Sequence, residues 1–120
     1  MKNLVIDIDN TLTLGDHKNY NLVSPNFEVI KKLREYKAGG FNIILFTARN
    51  MRTHGNNIGK ITAKTLPIIF KWLEKHNIPF DEIYVGKPWC GNDGFYVDDK
   101  TIRPDEFINK TYDQIKQIID

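Results

Sequence analysis

Two short, uninterrupted apolar runs, Leu4-Val5-Ile6 and Ile43-Ile44-Leu45-Phe46, constrain the fold of this chain more than any other feature. Runs without polar alternation suit strands buried on both faces of a parallel sheet. Ile83-Tyr84-Val85 and Phe95-Tyr96-Val97 repeat the pattern, and Thr101-Ile102-Arg103 reads as a short edge strand. Between the first two runs the apolar period lengthens to that of a helix. Val29, Ile30, Leu33 and Tyr36 share one face, Ser24 can cap its start, Pro25 takes the first helical position and Gly39-Gly40 ends it. A second helix is expected from about Thr65, with Pro67 tolerated in its first turn and His76-Asn77 and Pro79 closing it. Its buried face is Leu66, Ile69, Phe70 and Leu73, with Ile68 and Trp72 as a second stripe that adds to the core. Pro104-Asp105-Glu106 opens a last helix carrying Ile108, Thr111, Tyr112, Ile115 and Ile119 on one side.

Strands alternating with helices imply an α/β fold, a Rossmann-like three-layer sandwich around a mostly parallel sheet. A length of 120 residues suits one domain, 1–120, and leaves no room for a second core. The link from Gly86 to Asp93 is too short for a crossover helix, so it is expected to cross the carboxyl edge of the sheet, where open α/β sheets bind ligands.

Charge excludes some partners. The 17 basic and 15 acidic residues leave a net charge of +2 without a long run of one sign, which argues against nucleic acid and anionic membrane surfaces. The single cysteine, Cys90, excludes an internal disulfide and suits a reducing compartment. The apolar start is interrupted at once by Asp7 and Asp9, unlike a signal peptide, and no run approaches the length of a membrane span. A cytoplasmic location is therefore expected.

Each strand is followed by residues that carry chemistry: Asp7-Ile8-Asp9-Asn10-Thr11, Thr47-Ala48-Arg49, Gly86-Lys87-Pro88 and Asp98-Asp99. In a parallel sheet these ends converge on one rim. Carboxylates gathered there repel unless a cation sits among them, and an all-oxygen donor set favours a hard ion, Mg²⁺ before Ca²⁺. Lys87 and Thr47 add a positive charge and a hydroxyl suited to phosphate oxygens. Metal and lysine together would neutralise a phosphoryl group so that a carboxylate could attack it. A second carboxyl group two residues on could protonate the leaving oxygen and then activate water.

In this order, Asp7-x-Asp9-x-Thr11, Thr47, Lys87 and Asp98-Asp99 resemble the four motifs of the haloacid dehalogenase superfamily of phosphatases, over nearly the whole chain. The resemblance implies the strand order 5-4-1-2-3. It implies Asp7 as nucleophile and metal ligand, and Asp9 as acid and base that ligates Mg²⁺ through its carbonyl. Asp98 would complete the metal shell, and Asp99 would act through water or by positioning Lys87. Phosphate contacts are implied at Ile8, Asp9, Thr47, Ala48, Arg49 and Lys87. The segment from Leu12 to Leu22, where many relatives insert a cap domain, is too short for one. Thr47-Ala48-Arg49-Asn50-Met51-Arg52, Gly86-Lys87-Pro88-Trp89-Cys90-Gly91 and Val97-Asp98-Asp99-Lys100 also resemble small proteins of bacterial capsule and surface-polysaccharide synthesis. That likeness implies a small phosphorylated metabolite as substrate.

Plainer readings stand beside these. Asp7 and Asp9 could cap loops after a buried strand, and Lys87 alone would be a solvated loop residue. Arg49 and Arg52 suit either surface ion pairs or an anion clamp. His17, His54 and His76 show no metal-ligand spacing; His76 is expected to finish its helix, where a cation is favourable. Cys90 reads as a packed, inert thiol and Asn10 as a turn residue. Residues 50–64 are expected to form a long loop bearing Arg52, His54 and Lys60, part of a substrate pocket that a neighbouring subunit of a homo-oligomer could close. A receiver domain shares the length and the residue types, but it carries its acidic pair first and its acceptor aspartate mid-chain. A phosphatase of nucleic-acid ends would want a basic, aromatic stripe. A binding module without catalysis would lack one of the chemical groups, and none is missing.

Overall fold

The computed structural model describes residues 2–15, 19–20 and 22–120. His17 lies outside them. The chain packs as two units, one reaching to Trp89 and the other spanning Cys90–Asp120.

In the first unit β1 (Asn3–Asp7) leads into a short ribbon of β2 (Thr13–Leu14) and β3 (Ser24–Pro25), then α1 (Phe27–Ala38) and β4 (Asn42–Thr47). A single helical turn α2 (Ile58–Lys60), a π-helical turn (Ile61–Thr65), α3 (Leu66–Lys75) and β5 (Glu82–Val85) follow. The sheet is parallel with order β1-β4-β5, and Ile6, Leu45 and Ile83 lie in register. The α/β class is thus as expected, with helices between parallel strands.

Burial within the sheet is one-sided. Ile6, Ile43, Leu45 and Thr47 are buried, whereas Val5 and Tyr84, on the alternate positions, are more than half exposed. The apolar runs were expected to be covered on both faces; here the period of two decides which side chains reach the core. Val29, Ile30 and Leu33 of α1 and Ile69, Trp72 and Leu73 of α3 complete that core. Leu66 and Phe70, expected inward on α3, are not buried, and Trp72 takes the larger share, its indole N–H donating to the Val23 carbonyl at 2.9 Å.

Local chemistry explains the other differences. α1 is capped by Asn26, whose side chain accepts from the Val29 amide at 3.4 Å, and not by Ser24. Ser24-Pro25 instead pairs antiparallel with Thr13-Leu14, an edge position that a proline tolerates. Gly39 and Gly40 end α1 as expected, Gly40 at φ +94°. Helical geometry before α3 begins at Ile58, not Thr65, because Asn57 caps the turn through the Lys60 amide at 3.0 Å. The expected loop of residues 50–64 is therefore shortened. The π turn lies immediately upstream of Pro67, where the Leu66 amide reaches back to the Ile61 carbonyl. A wider turn there accommodates a ring that would otherwise crowd the carbonyl four residues earlier.

At the amino end of the sheet, Asp81 joins three elements. Its carboxylate accepts from the Ile43 amide at 2.8 Å and pairs with Lys37 of α1 at 2.6 Å. Arg34 binds the His76 and Asn77 carbonyls that end α3, at 2.9 and 3.2 Å. His76 does close α3, but burial, with Lys75 adding, pushes its pKa down, which opposes the expected cationic end.

The second unit contains α4 (Pro104–Asn109) and α5 (Tyr112–Ile119). One continuous helix was expected; Thr111 breaks it by capping α5, accepting from the Gln114 amide while Gln114 bonds back to the Thr111 amide. Phe95-Tyr96-Val97 and Thr101-Ile102-Arg103, expected as strands, are irregular, and Phe95 and Val97 are largely exposed. Among the described residues neither segment is paired in a ladder, and β propensity alone does not make a strand. No described helix is long and apolar enough to cross a membrane.

Candidate active site

The carboxyl ends of β1, β4 and β5 adjoin because the strands are parallel and in register. Asp7 is the last residue of β1 and pairs with Phe46, which pairs with Tyr84; Thr47 and Val85 end their strands side by side. Three loops therefore leave the sheet at one edge.

The loop after β1 is a tight turn. The Ile8 carbonyl accepts from the amides of Thr11, Leu12 and Thr13 at 3.3, 2.9 and 3.1 Å. Asn10 sits at φ +59° and donates its amide to the buried Thr13 hydroxyl at 2.9 Å. Left-handed geometry suits asparagine better than most residues. The turn leaves Asp7 and Asp9 each about one-third exposed. The Ile8 side chain is buried, so only its backbone can meet a ligand, and its amide is directed at the Asp7 carboxylate.

Lys87 reaches the site through its own anchored loop. Its amide donates to the Thr47 carbonyl at 3.1 Å, and its ammonium lies 3.6 Å from Asp7 Oδ1. Gly86 makes this path possible. It sits at φ +91°, and a Cβ there would come within 2.7 Å of Ile58 Cδ1. Thr11 approaches the other Asp7 oxygen at 3.5 Å. Burial raises the Asp7 pKa above the usual carboxylate value; Lys87 opposes this, Asp9 adds to it, and the Ile8 amide opposes it. Asp7 is thus a half-buried carboxylate with more desolvation than its neighbours offset.

Arg49 and Asp9 form the other pair. Arg49 Nη2 lies 2.7 Å from Asp9 Oδ1, and Nε lies 3.1 and 3.2 Å from the two oxygens. The Arg49 side chain is fully buried, and its guanidinium stacks 4.1 Å above the Tyr20 ring. Thr47 links pair and strand: its hydroxyl accepts the Arg49 amide at 3.0 Å and lies 3.5 Å from Asp9 Oδ2. Arg49, left open as a surface ion-pair residue or an anion clamp, is found as a buried partner of Asp9. Tyr20 had no signal in the sequence, since a lone aromatic in a polar stretch carries no spacing.

Ala48 is half-buried, and its carbonyl accepts the Met51 amide at 3.1 Å. Arg52 and Lys60 are exposed, and His54 is half-exposed. Their segment is tied down by buried Met51 and by the Thr65 hydroxyl, which donates to Asn50 at 2.8 Å. Ile58 of this segment lies beside the lysine loop, where its Cδ1 fills the space that a Cβ at Gly86 would need. Cys90 is half-buried, with its thiol 3.4 Å from the Gly91 carbonyl.

Asp98 and Asp99 lie in the second unit and are exposed. Asp98 accepts from the Lys100 amide at 3.1 Å, and that bond, with Asp99 adding, lowers its pKa. Among the described residues no group of three or more His, Cys, Asp or Glu side chains closes on one point. The donor chemistry at Asp7 nevertheless fits a hard cation: its oxygens take long contacts from Lys87 and Thr11, and burial outweighs what Lys87 and the Ile8 amide offset. Asp9 spends its carboxylate on Arg49, so a cation would be left its main-chain oxygen.

Fold and site together define an α/β protein with paired aspartates, a lysine and a buried arginine at the carboxyl edge of a parallel sheet. A crystal structure of a target protein from Vibrio cholerae is similar to it, with a TM-score of 0.97 and 53% identity over 99% of this chain and 97% of that one. The chain belongs to the same family as that Vibrio cholerae protein. No family model matches it, and no curated protein does.

Proposed function

We propose that this protein is a Mg²⁺-dependent phosphomonoesterase of the haloacid dehalogenase type, acting on a small phosphorylated metabolite. The observation that carries the proposal is the convergence of Asp7, Asp9, Thr47 and Lys87, from three strand ends, into one set of ion pairs and hydrogen bonds. The three observed strands correspond to the 1-2-3 part of the order 5-4-1-2-3. A receiver domain would end its middle strand on an acceptor aspartate, and β4 ends on Thr47.

In this reading an Asp7 carboxylate oxygen attacks phosphorus and the ester P–O bond breaks. The leaving oxygen takes a proton from Asp9. Water then attacks the aspartyl phosphate, giving its proton to Asp9, and the acyl P–O bond breaks to release phosphate and regenerate Asp7. Lys87 binds a phosphoryl oxygen and offsets charge as Asp7 approaches. Within the first unit, Asp7 and the Asp9 carbonyl would hold Mg²⁺. Bound there, the ion would supply charge neutralisation at the phosphoryl oxygens.

Exposed Arg52 and Lys60 follow the β4 strand end and suit the non-reacting part of a sugar, polyol or amino-alcohol phosphate, such as a surface-polysaccharide precursor. A panel of such esters, assayed for phosphate release with Mg²⁺, tests the proposal. Release that is lost in excess chelator and in Asp7→Asn supports it. Full activity of Asp7→Asn, or no release from any ester, overturns it.

A further inference from the structure

Arg49 invites the reading of a phosphate clamp, because it is a cation two residues beyond a phosphate-site threonine. Its environment says otherwise. The side chain has no exposed surface, its Nε–Nη2 edge is taken up by Asp9, and Tyr20 covers a face of the guanidinium. A phosphoryl group arriving from solvent would meet Lys87 and the outer edge of Asp9 before it met this cation.

The contacts to the two Asp9 oxygens are unequal. Oδ1 takes the 2.7 Å bond from Nη2 and the 3.1 Å bond from Nε, whereas Oδ2 has Nε at 3.2 Å and the Thr47 hydroxyl at 3.5 Å. Donors converge on Oδ1 and leave Oδ2 the more weakly engaged oxygen of the pair. Arg49 is itself fixed at both ends: its backbone amide is bonded to the Thr47 hydroxyl, and its guanidinium is buried against Tyr20. Nη1 is buried with no hydrogen-bond partner among the described residues, so Asp9 is the anchor of this cation's hydrogen bonding. A rigid fork of this kind sets both the rotamer of a carboxylate and the oxygen that faces the reaction.

We propose that Arg49 is a positioning residue: through its bonds to Asp9 it fixes which carboxyl oxygen meets the leaving group and the attacking water, and it does not bind the phosphoryl group. This rests on the hydrolase reading above.

The test compares phenyl phosphate, whose leaving group needs a proton, with 2,4-dinitrophenyl phosphate, whose leaving group does not. In the intact protein with Mg²⁺, Arg49→Met should lower kcat/KM on phenyl phosphate by at least about tenfold, part of the usual range for general acid–base catalysis. On the dinitrophenyl ester kcat/KM should change little, because that ratio reports steps through phosphoenzyme formation. Inhibition by inorganic phosphate should be unchanged. Combining Arg49→Met with Asp9→Asn should cost no more than Asp9→Asn alone. Arg49→Lys, which keeps the charge with fewer directed donors, should fall between and provides the comparison if the methionine variant fails to fold. Equal losses on both esters with weaker phosphate inhibition would make Arg49 a clamp and overturn the role. Reduced stability with undiminished kcat/KM on phenyl phosphate would make it purely structural and also overturn it. Wild-type protein inactive on both esters would overturn the hydrolase reading, and the role with it.

Discussion

Removing Asp9 should destabilise the fold, although its own side chain is one-third exposed. The Arg49 side chain, by contrast, is fully buried. Asp9→Ala therefore strands a guanidinium away from water, a change that typically costs about 3–5 kcal/mol. The exposed side of Asp9 admits water to the vacated space, so the low end, about 3 kcal/mol, is expected. Against a total stability of about 5–15 kcal/mol that is a large fraction. Asp9→Asn keeps one acceptor for the fork and should cost less, about 1–2 kcal/mol. Arg49→Met leaves only a partly solvated carboxylate. Adding Arg49→Met to Asp9→Ala should consequently restore stability, because it removes the stranded charge. Urea denaturation of the wild type and the four variants without divalent ions measures this. Asp9→Ala within about 0.5 kcal/mol of wild type, a difference usual for harmless surface changes, would refute the reasoning. So would a double variant less stable than Asp9→Ala.

Asp7 works in the opposite sense. Its folded pKa is raised, chiefly by burial, so its ionisation opposes folding at any pH above its unfolded value. Asp7→Asn should raise the melting temperature of the metal-free protein at neutral pH and lose that gain below about pH 4; an unchanged melting temperature at both pH values would count against it. Asp81 has a lowered pKa, from the Ile43 amide first and Lys37 next, so it stabilises the fold above its unfolded pKa and ceases to as pH falls through its folded one. Asp81→Asn should accordingly be less stable than wild type at neutral pH and converge with it in acid, followed by circular dichroism. Gly86→Ala combines an unfavourable φ with a Cβ 2.7 Å from Ile58 Cδ1, and it should cost at least about 1 kcal/mol. Ile58→Ala in the same chain should recover only the steric part, which calorimetry can separate. Arg52→Ala and Lys60→Ala should reduce kcat/KM on the preferred substrate far more than on an aryl phosphate; equal losses would place both residues in the shared phosphate chemistry.

The residues that converge in the first unit were legible from the amino-acid order alone. Asp7, Asp9, Thr47 and Lys87 each follow an apolar run, and parallel pairing brings such ends together whatever the loops do. Helix positions were legible wherever the apolar period was long, as in α1 and α3. Their exact starts were not, because Ser24, Asn26, Thr65 and Asn57 are all acceptable caps, and only packing selects among them. Phe95-Tyr96-Val97 shows the same limit for strands, since three residues of high β propensity cannot specify a partner. The pairing of Arg49 with Asp9 was beyond any spacing rule: two residues 40 apart in sequence were joined by burial. Loop polarity left Arg49 open between a surface ion pair and an anion clamp. Tertiary structure made it a buried cation, because the Asp9 carboxylate and the Tyr20 ring hold the guanidinium where solvent would otherwise have offered the charge a cheaper home.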